Sequence, residues 1–373
     1  MINIDTVLIK VASRCNINCQ YCYIYNMGDT NWENMPGQMS RETLQATVQA
    51  LCKLTHNQQR RFAVVLHGGE PLLLGPKNLD FLLSRLRSVL PIEYPLSIQT
   101  NGMLITERLL DVCSTYHTSL GVSIDGPKSL HDQYRVGHQG EGTFDKVLAG
   151  IGRLRKHKDA EQLFKGLLAV IDPASSPGEV YRFFKSLGAP SIDFLYRDGD
   201  HSKLPYGKAS FQSTEYGRWL AGLLDIYLAD PAPIRIRLLD DMIKLILGGQ
   251  GTKEGVGNAE FGIVIIDTDG SIRKNDTLKS NFDGADHFAK QWSVHRHGIS
   301  ELTNTREFKK YHSLLRPTAS ACLSCPELYV CGGGMPVTRW HYSNGYNNPS
   351  VYCADQLLLI EHMRKRLTAL MAA

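Results

Sequence analysis

The sequence predicts an α/β chain: an open, partial TIM-like (β/α)6 barrel followed by a cysteine-rich α+β domain. Two observations predict it. From residue 4 to about 197, short β-rich runs alternate with amphipathic helical runs. Beyond 198 the alternation stops, and a hairpin pattern and a loop-rich segment follow, carrying four of the nine cysteines. Six strand–helix units imply parallel strands joined by crossovers, with chemistry at the carboxyl ends of the strands.

Strands are expected at 5–12, 62–67, 96–100, 119–124, 164–171 and 191–196, where β-branched and other apolar residues concentrate. Helices are expected between them at 41–55, 78–90, 106–114, 143–156 and 178–187. Ser40 and Thr106 stand where a side-chain oxygen can accept from the exposed amides of a first helical turn. Residues 198–212 are polar and rich in Gly and Pro, which suits a linker. Helical runs follow at 215–228 and 238–247, then a Gly-rich stretch at 249–257. A hairpin from Phe261 turns at Asp269-Gly270, and residues 354–370 close the chain as a helix. The expected domains are 1–200 (barrel), 201–260 (helical bridging region) and 261–373 (cysteine-rich domain).

Composition excludes several classes. A net charge of +4 without a Lys/Arg block argues against nucleic acid as partner, and no apolar run is long enough to cross a membrane. With no secretory signal pattern the protein is expected to be cytoplasmic, where nine cysteines serve as metal ligands or free thiols rather than disulfides.

Ser13-Arg-Cys15-Asn-Ile-Asn-Cys19-Gln-Tyr-Cys22 follows directly on the first strand. Three thiolates within eight residues can surround one inorganic centre, and three ligands leave one iron of a cubane open. A closed zinc site needs a fourth ligand, and no nearby histidine supplies it. An odd count of cysteines does not suit a disulfide.

C-x3-C-x2-C after the first strand resembles the signature of the radical S-adenosylmethionine (SAM) superfamily. The resemblance implies a 4Fe–4S cluster at Cys15, Cys19 and Cys22 whose open iron chelates SAM, with Tyr21 near the adenine. His67-Gly68-Gly69-Glu70-Pro71 is similar to the family's Gly-Gly-Glu motif, implied to hydrogen-bond the SAM amino group. Thr100 and Asn101, in Gln-Thr-Asn-Gly, and Ser123 and Asp125, in Ser-Ile-Asp-Gly, match positions that line the SAM ribose and methionine. Arg135 matches the arginine that pairs with the SAM carboxylate, where its fork of donors has a geometric use.

Cys322, Cys325, Cys331 and Cys353 give C-x2-C-x5-C-x21-C, four thiolates that can close a site, for which zinc is the competing occupant. The run resembles the C-terminal extension called SPASM, which implies an auxiliary 4Fe–4S cluster. The full pattern carries a second auxiliary set, but its thiol positions hold Asn275 and Met335 here. Cys52 and Cys113 fall inside helical patterns, as core or incidental thiols. Two clusters in all are expected, one binding SAM and one auxiliary.

Tyr23-Ile-Tyr-Asn-Met-Gly-Asp29-Thr-Asn-Trp32, Thr-Arg339-Trp and Asn348-Pro-Ser-Val-Tyr-Cys353-Ala-Asp355 resemble peptide maturases that build three-residue cyclophanes in ribosomally made precursors. That resemblance implies a bond from an aromatic ring carbon to a side-chain β-carbon. The implied partners are a precursor peptide, an external one-electron reductant of flavodoxin or ferredoxin type, and a separate peptide-recognition protein as one route to the leader. The chain starts in its first strand, so leader binding is otherwise expected at 200–260 or in the C-terminal domain. The rearomatising step needs a base; Asp276 is the first candidate, with Asp29, Asp198 and Asp200 beside it. Thioether-forming and sulfatase-maturing SPASM enzymes, and a non-catalytic Fe–S or Zn module, remain as alternatives.

Overall fold

The computed structural model describes residues 2–372. The alternation read from the sequence is present: β1 (Thr6–Ala12), β2 (Ala63–Gly68), β3 (Leu96–Thr100), β4 (Thr118–Ser123), β5 (Phe164–Val170) and β6 (Ser191–Leu195). A hairpin adds β7 (Ile263–Ile266) and β8 (Ile272–Arg273). The intervening helices begin where the capping residues predict. The Ser40 side chain accepts from Thr43 N at 3.1 Å to open Arg41–Asn57, and Thr106 accepts from Leu109 N at 3.3 Å to open Glu107–Thr115.

The described residues gather into two compact units that interleave along the chain. The first holds residues up to 124, 131–166 and 261–312; the second holds 125–130, 167–260 and 313 onward. In the first, the strand order is β8-β7-β1-β2-β3-β4, parallel except for the β7/β8 hairpin. Val7, Ile9, Val64, Leu66, Ile98, Leu120 and Val122 form its buried apolar layer. In the second, residues 167–170 of β5 pair in parallel with β6, and β6 with Arg235–Ile236. Phe184, Phe194 and Trp219 pack edge to face there, with centroids 5.8 and 5.3 Å apart.

The hairpin turns where Asp269-Gly270 predicts, closed by Gly270 N donating to Asp267 O at 2.8 Å. Its destination is not local. β7 runs parallel to β1, in register from Thr6↔Ile263 to Ile9↔Ile266, so residues 261–312 pack in the first unit. Gly262 permits the approach: a Cβ there would stand 1.9 Å from Asn3 O. Among the described residues no helix is long and apolar enough to cross a membrane.

Candidate active site

In the first unit, β1 feeds directly into the loop carrying Cys15, Cys19 and Cys22. Arg14 ties the loop's ends together, donating from Nη1 to Trp32 O at 2.6 Å and to Ser13 Oγ at 2.9 Å, with its guanidinium over the Trp32 ring. Tyr25 stacks edge-on against Trp32 and donates its hydroxyl to Ser13 O at 3.0 Å. Asn18–Cys19 pair antiparallel with Arg135–Val136, which brings Arg135 opposite Cys19. Arg135 Nη1 lies 3.9 Å from Cys19 Sγ, and its guanidinium covers the Tyr21 ring at 5.6 Å. Asn101 Nδ2 lies 3.9 Å from Cys15 Sγ.

Burial pushes the Cys15 thiol up to about 12, and nearby Glu70, Cys19 and Cys22 add to this. A thiolate here therefore needs a cationic centre to form, which fits an all-sulfur donor set for an iron–sulfur group. As they stand, no three or more His, Cys, Asp or Glu side chains among the described residues are arranged to hold a single metal ion.

The two glycines after His67 press on the root of this loop. A Cβ on Gly68, whose φ is +144°, would stand 2.1 Å from Ala12 O, and one on Gly69 would stand 2.3 Å from Arg14 O. Gly69 N and Glu70 N donate back to Ala12 O and Arg14 O at 2.9 and 3.0 Å. The Glu70 carboxylate is fully buried and turned inward. It accepts from Thr100 Oγ1 at 2.7 Å, Leu72 N at 2.9 Å and Asn101 N at 2.8 Å, bracing the ends of β2 and β3. Burial lifts it to about 7 despite those three donors. Ser123 accepts from Gln99 Nε2 at 2.9 Å at the end of β4.

Sequence reasoning singled out Asp276 and Asp29 but missed the buried charge network that holds them, beside the carboxyl ends of β1 and β7. Lys10 Nζ stands 2.8 Å from Asp276 Oδ2 and 3.5 Å from Asp267 Oδ2; Lys279 Nζ stands 3.3 Å from Asp29 and 3.5 Å from Asp286. All six side chains are more than nine-tenths buried. Burial alone would lower Lys10, but Asp276, Asp267 and Asp286 outweigh it and raise it well above its usual range. Asp29 goes the other way: Lys279 and hydrogen bonds from Asn31 and Gly284 outweigh burial and hold it low. A small recess opens onto Lys10, Ser13, Trp32, Gly68, Gly69 and Lys279. Beyond those two carboxylates, the signal for this network was a lysine inside an otherwise apolar strand.

Both thiol-pattern departures have structural employment. Asn275 Oδ1 accepts from Thr277 N and Oγ1, each at 3.0 Å, capping the short helix Asp276–Ser280. Met335 lies over Gly255, where a Cβ would stand 2.9 Å from its Cγ.

The second unit holds the remaining residues singled out above. Asp125 is buried and accepts from Val170 N at 3.1 Å. Asp198 follows β6 and is pushed up to about 7 by burial; Asp200 Oδ1 accepts from Ser202 N at 2.7 Å and Lys203 N at 3.0 Å, a turn-forming role. Cys322 sits on Ser320–Leu323, Cys331 ends Leu328–Cys331, and Cys353 opens the helix Cys353–Ala372. After Cys331 come Gly332, Gly333 and Gly334 with φ of +69°, +80° and +70°, and a Cβ on Gly332 would stand 2.3 Å from Gly257 O. Burial pushes the Cys331 thiol up to about 12, with Cys353, Cys322 and Cys325 adding. Its Sγ donates to Gln356 Oε1 at 2.6 Å.

Residues 9–170 match the radical SAM superfamily. The chain is 26% identical over 383 residues to the cysteine-type anaerobic sulfatase-maturating enzyme of Clostridium novyi (strain NT), covering 97% of this chain and 96% of that protein. It is 27% identical over 372 residues to the serine-type enzyme of Bacteroides thetaiotaomicron, covering 90% and 83%. Among solved structures it is similar to native anSMEcpe with bound AdoMet, with a TM-score of 0.82 and 23% identity over 98% of each chain. It is also similar to Streptococcus suis SuiB bound to precursor peptide SuiA, with a TM-score of 0.63 and 14% identity over 94% of this chain and 76% of that one. These likenesses carry the fold class read from the sequence, an α/β chain with a parallel sheet and a C-terminal domain.

Proposed function

This chain is a radical SAM enzyme, and from that premise we propose that it joins an aromatic ring carbon to a side-chain β-carbon in a peptide, making a three-residue cyclophane. A peptide or protein substrate is supported by relatives named as maturating enzymes and by the likeness to SuiB bound to a precursor peptide. When bound, the groups supply one-electron chemistry: a 4Fe–4S cluster for reductive SAM cleavage and hydrogen abstraction, and an auxiliary cluster as a sink for the spare electron.

Cys15, Cys19 and Cys22 would hold the first group, and Cys322, Cys325, Cys331 and Cys353 the second. Tyr21 and Arg135 lie beside the first cysteine loop, with Thr100, Asn101 and Ser123 at the ends of the neighbouring strands; with Asp125 they are our assignment for SAM. The inward-turned Glu70 carboxylate acts as a brace between the ends of β2 and β3.

The observation that carries the finer reading is the substitution of an inner thiol set by Asn275 and a buried Lys10–Asp276 pair. Substrate then has no second auxiliary iron to bind, and a carboxylate held by a lysine is available to take the ring proton. An external one-electron reductant and cytoplasmic residence belong to the same reading.

A second reading is sulfatase maturation, favoured by the names of the relatives. Anaerobic turnover with a peptide carrying aromatic-x-x motifs separates the two. A cyclophane leaves the peptide two hydrogens lighter, with its thiols intact and nothing for a hydrazide to trap. A trapped aldehyde, or loss of a thiol, overturns the cyclophane reading.

A further inference from the structure

Arg339 ends the short helix Pro336–Arg339, in the chain segment between Cys331 and Cys353. It is the largest fully buried side chain among the described residues, at 1% exposure. A guanidinium carries five N–H donors and its charge at neutral pH, and inside a protein it ordinarily meets a carboxylate. Among the described residues no carboxylate pairs with Arg339. One Nη2 donates to Leu314 O, and Nε–H has no hydrogen-bond partner among the described residues. Backbone pairing sets it beside the second cysteine set: Val351 N donates to Thr338 O at 2.9 Å and Cys353 N to Ser350 O at 2.9 Å, and the titratable groups near enough to act on it are Cys322 and Cys331, followed by Tyr346. The segment itself is pinned: Asn348 Nδ2 donates to Arg339 O at 2.8 Å, and Thr338 Oγ1 meets Ser350 Oγ at 2.9 Å. Among the described residues of the second unit, this buried cation thus has no carboxylate partner and lies near the Cys322 and Cys331 thiols.

We infer that Arg339 is the counter-charge of the auxiliary iron–sulfur group at Cys322, Cys325, Cys331 and Cys353 and raises its reduction potential. The inference rests on the auxiliary-cluster reading given above. Four thiolates give such a group a net negative charge that grows by one on reduction, so a fixed neighbouring cation favours the reduced form. An N–H donor aimed at ligand sulfur acts in the same direction. Arg339 is a positioning residue in this account; it touches no substrate.

The test uses the full chain with Cys15, Cys19 and Cys22 changed to Ala, so that electron paramagnetic resonance reports the auxiliary site alone. Iron and sulfide near four of each per chain are expected; their absence overturns the auxiliary-cluster reading itself, and this inference with it. With iron present, Arg339→Gln is expected to shift the reduction equilibrium roughly tenfold toward the oxidised form, about 59 mV for one electron. Arg339→Lys is expected to keep most of the potential. An unchanged potential in iron-replete Arg339→Gln overturns the inference. Should that variant lose its iron, the Arg339 protein labelled with 15N in arginine side chains decides. Hyperfine coupling of the reduced group to a guanidinium nitrogen is expected, and its absence overturns the proposal.

Discussion

Lys10 interrupts the apolar strand Thr6–Ala12, and the structure shows what it serves: Asp276 and Asp267, from residues far along the chain, close on its ammonium. Removing one partner of such a buried pair leaves the other uncompensated. Lys10→Met is expected to cost about 3–5 kcal/mol in stability. Lys10→Met/Asp276→Asn is expected to recover much of that, a coupling that a double-mutant cycle on thermal unfolding would measure. If Asp276 takes the ring proton, Asp276→Asn lowers crosslinked product by roughly 10²–10⁴-fold while 5′-deoxyadenosine release continues. Glu70 gives a prediction in pH. Its folded value, about 7, lies above the ordinary 4.5, so its contribution to stability is full below about pH 4.5 and lost as pH rises toward 7. The loss is about 3 kcal/mol at most. In Glu70→Gln the fall in melting temperature between pH 5 and 7.5 is expected to shrink, because an amide does not titrate. The cysteine spacings and the His67–Pro71 motif were legible because each is a local string. Lys10, Lys279 and Asp286 were not, nor was the burial of Arg339, because a charge becomes informative only when its surroundings are buried, and burial is set by distant residues.

Among the elements, local chemistry carried the most information. The strands and helices of the alternating part fall within a few residues of the ranges read from periodicity, and Ser40 and Thr106 cap as expected. Short pieces such as Arg135–Val136 escaped, since a two-residue strand has no period to read. The glycines after β2 show how an element's packing bears on the cysteine loop. Gly69→Ala would set a methyl 2.3 Å from Arg14 O and 2.0 Å from the Tyr25 hydroxyl. The backbone must shift, so weaker iron retention at the first site and lower SAM cleavage are expected, measured as iron per chain and 5′-deoxyadenosine yield. Gly140→Ala, which meets nothing within 4 Å, serves as the control for added bulk, although its own φ of +82° carries some strain.

For the whole molecule, iron content is the coarsest check: near eight per chain if both cysteine sets hold 4Fe–4S groups, and near four after Cys322→Ala/Cys325→Ala. The division into units was the least legible feature. The hairpin at Asp269-Gly270 was plain in the sequence, but its seat beside β1 depends on a pairing across more than two hundred and fifty residues, and no local pattern encodes that. A reading that follows chain order assigns residues 261–312 to the end of the molecule; the backbone hydrogen bonds of β1 assign them to its first unit.

That same pairing has a consequence during synthesis. On the ribosome, β1 and the cysteine loop emerge well before the neighbour on one side of β1, which is not translated until residue 266. At roughly 5–20 residues per second, one flank of the nascent strand stays bare for about 13–50 s. Over that interval the cysteine loop proposed to hold iron stands beside an unfinished sheet, open to misassociation. Slow translation through the intervening two hundred and fifty codons would lengthen that window.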